Sequence, residues 1–281
     1  MKQILLINDV VGYSHVGMVA MMPILTYMGH PTYNLPTALV SNTLDYGRFN
    51  VLDTTDYMRG TLPVWRELGF RFDAVCTGLM FSEEQAQLVA DYCKQLGSQG
   101  TTVFVDPIMG DSGHLYNGIG SRHVQLMRDM VSVADLTLPN YTEACYLTGT
   151  EYRDEGLSWD EACRMLDAIV ALGARAAVVT SARVEGHSCV VGRRSDRPLA
   201  GFRQDLSEGA YFRIDYDEIP LAFHGTGDIF SAVLIGHLMN GRPLRESTQT
   251  AMSVVSRLIE RNRDQHDLCR GIPIEQCLDL L

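Results

Sequence analysis

Apolar positions along the chain alternate between short runs rich in β-branched residues and longer stretches with helical spacing. The short runs predict strands at 3–8, 72–77, 101–105, 134–138 and 175–180. The longer stretches predict helices at 16–28, 56–68, 83–97, 158–172, 227–239 and 244–262. Thr102-Val103-Phe104-Val105 is nearly all apolar, as is typical of a strand buried on both faces of a parallel sheet. The alternation therefore predicts an α/β fold with a mostly parallel central sheet flanked by helices.

Between residues 187 and 217 the pattern changes to shorter β-like pieces, which predicts an antiparallel edge to this sheet. No low-complexity linker, repeat or break in composition divides the 281 residues. We therefore expect a single domain over residues 1–281.

Charge and cysteine content narrow the class of protein. With 23 Lys and Arg against 34 Asp and Glu, the net charge is −11, which argues against binding to nucleic acid or to anionic membranes. No apolar run is long enough to span a bilayer, and the first apolar stretch is too short for a signal peptide. The seven cysteines are scattered without a C-x-x-C pair, which suits reduced thiols. We expect a cytoplasmic location.

Polar residues follow several of the predicted strands. They are Asn8-Asp9, Thr77-Gly78, 106–111, 139–143 and Thr180-Ser181. Because ligands of open α/β sheets bind at the carboxyl ends of the strands, these residues are expected to meet at one rim. Several carboxylates, an amide and an anion-binding turn at one rim predict a site for metal-assisted phosphoryl transfer.

The anion-binding turn is Gly225-Thr226-Gly227-Asp228, which leads into a long apolar stretch. Glycines let backbone N–H groups approach a ligand closely, and the start of the following helix favours an anion. A carboxylate at this position can take a proton from a hydroxyl beside that anion. The alternative is that Asp228 is an ordinary helix N-cap.

Three other segments each allow a structural interpretation. Asp106 and Asp111 either hold Mg²⁺ through water or belong to a polar turn. Asn140 and Glu143, three residues apart at a helix start, match a capping box as well as a ligand-binding pair. Residues 111–120 are either a lid over a nucleotide or a solvent loop. Sequence signatures of zinc proteases, serine hydrolases and P-loop enzymes do not occur.

The order of these motifs resembles the ribokinase-like superfamily and, within it, the pyridoxal (vitamin B6) kinases. D-P-x-M-G-D, N-x-x-E, V-T-S and G-T-G-D follow one another as they do in that family. Thr77-Gly78-Leu79-Met80 is similar to its T-G-Y-M, and residues 36–46 resemble its substrate-side P-T-x-x-x-S-N-x-x-x-Y segment. The resemblance covers nearly the whole chain.

The resemblance implies a role for each matching residue. Asp228 would be the base that deprotonates the 5′-hydroxymethyl group of the vitamer, and the backbone of Gly225, Thr226 and Gly227 would bind the γ-phosphate. The remaining roles divide into three sets: metal ligands Asp106, Asp111 and Glu143; ATP-binding residues Asp111, Asn140, Glu143 and Thr180; and substrate-binding residues Asp9, Leu44, Asp45 and Asp228. The resemblance also implies ATP and Mg²⁺, leaves open a monovalent cation, and suggests a homodimer.

The substrate end departs from the family pattern. Asn8-Asp9 replaces the usual Q-S pair, Leu79 replaces a tyrosine, and Thr43-Leu44 replaces the usual residues of the S-N segment. Asp9 could bind a ring hydroxyl, a protonated ring nitrogen or an amine. A hydroxymethylpyrimidine kinase of thiamin synthesis and a non-catalytic vitamer- or nucleotide-binding protein therefore remain as alternatives.

Overall fold

A nine-stranded sheet forms the centre of the computed structural model, which describes residues 1–116, 119–196 and 209–281. Its strands are β1 (Ile4–Tyr13), β2 (Thr32–Asn42), β3 (Val51–Asp53), β4 (Ala74–Thr77), β5 (Thr102–Val105), β8 (Leu136–Thr137), β9 (Ala176–Val184), β10 (His187–Arg193) and β11 (Tyr211–Asp215). The short strands β6 (Gly110–Asp111) and β7 (His114–Leu115) form a separate hairpin. The sheet order is β11-β10-β9-β8-β5-β4-β1-β2-β3. The six strands from β9 to β2 are parallel, which confirms the predicted sheet type.

Helices cover both faces of the sheet. They are α1 (Met18–Tyr27), α2 (Thr55–Glu67), α3 (Glu83–Ser98), α4 (Ser121–Val131), α5 (Tyr141–Thr148), α6 (Trp159–Ala171), α7 (Thr226–Met239) and α8 (Leu244–Arg261). Each face of the sheet has its own hydrophobic core, and alternating residues of β1 point into one or the other. Ile4 and Leu6 pack under α1, α7 and α8, whereas Leu5 and Ile7 pack under the other five helices. The predicted three-layer α/β fold is confirmed.

The antiparallel edge predicted between 187 and 217 is confirmed for β10 and β11, which pair next to β9. Residues 197–208 of that interval lie outside the described residues, as do residues 117–118 of the predicted lid. The opposite edge is also antiparallel, because β3 pairs with β2 in that direction. This edge was not predicted, since β3 is only three residues long and one of them is Asp53.

Two predicted boundaries were wrong for local reasons. The first strand was predicted to end at residue 8 but continues to Tyr13, because β2 pairs with it across an irregularity between Asn8 and Val10. The helix predicted from residue 16 begins at Met18, because Gly17 has φ 58° and ψ −137°, which lies outside helical space. Helix α4 was missed because its apolar stripe has only four buried residues among polar ones.

The topology places a ligand crevice at the carboxyl end of β1. From β1 the chain first moves to β2 on one side, and later to β4, β5, β8 and β9 on the other. Ligands of open α/β sheets bind where the strand order reverses in this way. Within the described ranges, the helices are too short or too polar to cross a membrane.

Candidate active site

A cleft of about 710 Å³ opens at this carboxyl-end rim. It is lined by Asp106, Asn140, Glu143 and the turn 225–228, and also by Thr180, Ser181 and residues 216–222. Asn140 and Thr180 form a β-bridge, so two of the predicted nucleotide residues are direct neighbours. The cleft therefore joins residues that come from five separate parts of the sequence.

The turn before α7 is shaped by Gly225. This residue is the N-cap of α7 and has φ 80°, a left-handed conformation that favours glycine. A Cβ atom here would lie 2.6 Å from the backbone oxygen of His15, so the turn also packs directly on the loop before α1. The N–H groups of the next three residues have no carbonyl partner within the helix and lie at the cleft. This backbone can bind an anion.

Asp228 is the third residue of α7, so the interpretation of this residue as the N-cap is wrong. Its Oδ2 accepts a hydrogen bond from the backbone N–H of Gly17 at 2.8 Å, and its Oδ1 accepts one from the side-chain amide of Asn8 at 3.3 Å. Burial raises the pKa of Asp228, while these two donors oppose the increase. The carboxylate is thus held at the cleft by groups that stabilise its charged form.

Asp106 lies at the carboxyl end of β5 and accepts a hydrogen bond from Oγ of Ser231 at 3.0 Å. Burial and the nearby charge of Asp228 raise the pKa of Asp106 to about 8. Two carboxylates at one end of the cleft therefore repel each other, and a cation placed there would relieve this repulsion.

Asn140 and Glu143 form a complete capping box at the start of α5. The Asn140 side chain accepts from the Glu143 N–H at 2.9 Å, and Glu143 Oε2 accepts from the Asn140 N–H at 2.8 Å. The structural interpretation of this pair is thereby confirmed. Both side chains also reach the segment after β5: Asn140 donates to the carbonyl of Gly110 at 2.8 Å, and Glu143 Oε1 accepts from the N–H of Met109 at 3.0 Å.

The environment of Glu143 is nevertheless unusual for a helix cap. Its side chain is 3% exposed, and burial together with the charge of Asp106 raises its pKa well above the ordinary value, against the effect of its backbone donors. Glu143 therefore combines a structural role with a position next to Asp106 at the cleft.

The three carboxylates predicted to bind metal do not all come together. Asp106 and Glu143 are close enough to repel each other, but Asp111 is exposed on the β6–β7 hairpin and caps the N–H of Ser112. In the part of the chain that the structure describes, no three His, Cys, Asp or Glu side chains are grouped so that they could hold a metal ion. A cation here would have few protein ligands.

The substrate-side residues lie around the loop before α1. Asp9 is 7% exposed, and a Cβ on Gly17 would lie 2.6 Å from its Oδ1. Burial and the charge of Asp228 raise the pKa of Asp9 to about 7. Leu44 and Asp45 lie on an exposed 3₁₀ turn, where Asp45 pairs with His224 at 3.3 Å. The predicted substrate segment thus contacts the residue that precedes the anion-binding turn.

Three residues of the site were missed from the sequence. Asn8 was noted only as part of a strand end, although it donates to Asp228. Ser231, which donates to Asp106, gave no signal within the apolar stretch after Asp228. Tyr116 lines the cleft, and burial with the charges of Glu143 and Asp111 raises the pKa of its phenol. Its only signal was an aromatic side chain within the glycine-rich segment 111–120.

Comparison with known proteins supports the same class of enzyme. The family model for phosphomethylpyrimidine kinase matches residues 40–271. A pyridoxal kinase from Rubrobacter xylanophilus is 29% identical over 269 residues, which cover 92% of this chain and 87% of the relative.

Two solved structures extend this similarity to the fold. A Bacteroides thetaiotaomicron protein, whose name assigns it to the phosphomethylpyrimidine kinases and which was crystallised with pyridoxal, is 31% identical with a TM-score of 0.88; the match covers 99% of this chain and 95% of that one. Pyridoxal kinase from Lactobacillus plantarum is 26% identical with a TM-score of 0.85, over 99% and 96% of the two chains.

These similarities and the site geometry define a phosphotransferase that acts on an alcohol group, with a ribokinase-like fold. The chain belongs to the phosphomethylpyrimidine kinase family. The predicted resemblance to the pyridoxal kinases of the ribokinase-like superfamily is confirmed.

Proposed function

We propose that this chain transfers the γ-phosphoryl group of ATP to the 5′-hydroxymethyl group of a vitamin B6 vitamer, giving the 5′-phosphate and ADP. The observation that carries the proposal is Asp228, whose carboxylate is held by two donors beside the unpaired N–H groups at the start of α7. One nine-stranded sheet runs from residue 4 to residue 215, which supports a single kinase domain over residues 1–281.

In this reaction Asp228 takes the proton of the substrate hydroxyl as that oxygen attacks phosphorus. The N–H groups of Gly225, Thr226 and Gly227 stabilise the charge that develops on the transferred group, because they are already oriented toward it. Thr180 and Asn140 line the same cleft and are assigned to ATP. Such transfers depend on positioning and charge stabilisation more than on covalent steps.

The carboxylates fit a magnesium ion. Mg²⁺ prefers oxygen ligands and keeps several waters, so it needs few protein ligands when phosphates also bind it. Asp106, with Glu143 beside it, would hold the ion. Burial and the charge of a neighbouring carboxylate raise the pKa values of both groups, and a cation would relieve the repulsion. When bound, Mg²⁺ neutralises phosphate charge. Asp111, on the β6–β7 hairpin, would contribute a carboxylate to the metal from the side of the nucleotide.

A second candidate is a hydroxymethylpyrimidine kinase, because membership of the phosphomethylpyrimidine kinase family favours a substituted pyrimidine as substrate. A thermal-shift panel with pyridoxal, pyridoxine, pyridoxamine, hydroxymethylpyrimidine and ATP–Mg²⁺, followed by a turnover assay, distinguishes the candidates. We expect Mg²⁺-dependent ADP formation only with a hydroxymethyl heterocycle, and the highest kcat/KM with a vitamer. A folded protein that binds pyridoxine and ATP but forms no product would instead be a binding protein.

We also propose a homodimer that uses the end of the sheet formed by β1, β2 and β3. Several large apolar side chains are exposed there, among them Tyr13, Leu39, Tyr46 and Leu52. Leu39 and Leu52 are opposite each other on neighbouring strands, so their exposed surfaces are continuous. Adjacent apolar side chains of this kind are typical of protein interfaces. Sedimentation velocity of the wild type and of Leu39→Glu/Leu52→Glu would test this assembly.

A further inference from the structure

Asn8 links strand β1 to Asp228, the proposed base. It lies in the middle of β1, just before the irregularity in the pairing with β2, is 2% exposed, and donates to Oδ1 of Asp228, which is 220 residues away in sequence. We infer that Asn8 is a positioning residue, which fixes the carboxylate of Asp228 in the orientation needed to accept the substrate proton. This inference rests on the proposed kinase function.

The orientation of the Asn8 amide is determined by its neighbours. Its Oδ1 accepts hydrogen bonds from the backbone N–H groups of Leu79 at 2.9 Å and of Asp9 at 3.0 Å. Because backbone N–H groups only donate, the oxygen must face them and the NH₂ group must face the opposite way. The NH₂ group therefore faces Asp228, and Sδ of Met21 lies 3.8 Å from the same nitrogen.

A glycine provides the space for this amide. A Cβ on Gly78 would lie 2.2 to 2.5 Å from Oδ1, Cγ and Nδ2 of Asn8, a distance at which the amide must move. The backbone of Gly78 is not left-handed, so this close approach is the constraint that the structure shows against a side chain. The strand end after β4 is thus shaped to hold Asn8 in place.

Asp228 is fixed from two sides as a result. Gly17 donates to Oδ2 from the start of α1, and Asn8 donates to Oδ1 from the middle of β1. With one donor on each oxygen, rotation of the carboxylate is restricted, and its remaining lone pairs are free to face the cleft. Removing the Asn8 donor leaves one oxygen without this restraint, which reduces the fraction of molecules in the reactive geometry.

The first test compares Asn8→Ala with the wild type in steady-state assays with a vitamer and ATP. We expect kcat to fall about 10- to 150-fold, the range for a hydrogen bond to a charged group, while KM for both substrates stays within about threefold. Asn34→Ala is the matched control, because it removes the same amide from the neighbouring strand β2. We expect near-wild-type kcat for this control.

A double-mutant cycle with Asp228→Asn shows whether Asn8 acts through Asp228. If it does, adding Asn8→Ala to Asp228→Asn lowers kcat by less than about threefold. A fully additive loss would overturn the inference, as would an unchanged kcat or a higher KM at constant kcat in Asn8→Ala. A wild type without turnover would overturn the proposed function and this inference together, whereas an active wild type with an unaffected Asn8→Ala would overturn only the inference.

Gly78→Ala provides a second variant in case Asn8→Ala fails to fold. It leaves the Asn8 amide in the protein but displaces it. We therefore expect a lower kcat with little change in KM, as for Asn8→Ala. Gly60→Ala is its control, because a Cβ there meets no atom within 4 Å. Wild-type kcat in a folded Gly78→Ala would contradict the inference.

Discussion

The catalytic end and the substrate end of the site are built in different ways. At the catalytic end, the turn from Gly225 to Asp228 and the capping box of Asn140 and Glu143 are each built within three residues of sequence. The hydrogen bonds that hold Asp228 and Asp106 in place, however, come from distant segments. At the substrate end, the contacts join distant segments. Asp45 pairs with His224, the Tyr46 hydroxyl donates to Asp267, and Thr43 donates to the carbonyl of Cys269.

This difference separates the chemistry from the choice of substrate. The catalytic end depends on backbone N–H groups and on carboxylates fixed by backbone donors, so few side chains can vary there without loss of function. The substrate end is an exposed turn attached by side-chain contacts, whose residues can change while the fold is kept. We therefore expect changes at the first end to lower turnover with every substrate, and changes at the second to alter preference.

The largest effect is expected for Asp228→Asn. Removing the base should lower kcat by roughly 10²- to 10⁴-fold for every vitamer, because no other group at the cleft takes over the proton transfer. Binding of ATP and vitamer, measured by isothermal titration calorimetry, should change little. Asp217→Asn makes the same change on another carboxylate of the cleft, and we expect its kcat to stay within about threefold of the wild type. Near-wild-type turnover in Asp228→Asn would remove Asp228 from its proposed role.

A smaller and more selective effect is expected for Asp9→Ser. The Asp9 carboxyl is buried beside Asp228, and its pKa of about 7 shows that its charge has too little compensation in the free protein. A vitamer that supplies a hydroxyl, a protonated nitrogen or an amine would provide the missing partner. Such a bond corresponds to roughly a 10- to 150-fold preference.

We therefore expect Asp9→Ser to shift relative kcat/KM toward pyridoxal and away from the best donor vitamer, as measured by competition between vitamers. Asp53→Ser is the control. Asp53 lies on the edge strand β3, and its exposed carboxylate accepts a hydrogen bond from the backbone N–H of Thr55. If Asp9→Ser changed kcat/KM equally for all vitamers, Asp9 would not be contacting the distinguishing part of the ring.

The same contrast explains how much could be predicted from the sequence. The parallel sheet, the turn before α7 and the capping box at Asn140 and Glu143 all have local patterns, and these features were predicted. The hydrogen bond from Asn8 to Asp228 spans 220 residues, and that from Ser231 to Asp106 spans 125. No local pattern encodes such contacts, because they form only when α7 packs against the sheet and meets β1 and the end of β5.

The position of Asp111 also could not be derived from the sequence. Its spacing from Asp106 suggested a shared metal site, but the hairpin formed by β6 and β7 carries Asp111 to an exposed position. The pairing of Gly110 with Leu115 determines this path. A two-residue strand is too short to leave a hydrophobic pattern, so the direction of Asp111 could not be derived.

The smallest effect on activity is expected for Glu143→Gln, a substitution at the catalytic end. Both Glu143 oxygens accept backbone N–H groups, from Met109 and from Asn140, whereas glutamine can offer only one oxygen to these donors. One buried N–H group then loses its partner, which lowers the free energy of unfolding by about 1–3 kcal/mol. Loss of the charge beside Asp106 should also raise the Mg²⁺ concentration needed for half-maximal activity.

Urea denaturation and a Mg²⁺ titration of activity measure these two effects separately. The chain supplies a matched control, because Ser158 and Glu161 form a second capping box, on the surface at the start of α6. Glu161→Gln should lower stability less and leave the Mg²⁺ requirement unchanged, since Glu161 lies on the surface with Arg153 as its partner. An unchanged Mg²⁺ requirement in Glu143→Gln, together with the loss of stability, would limit Glu143 to capping α5 and leave Asp106 as the carboxylate that meets the cation.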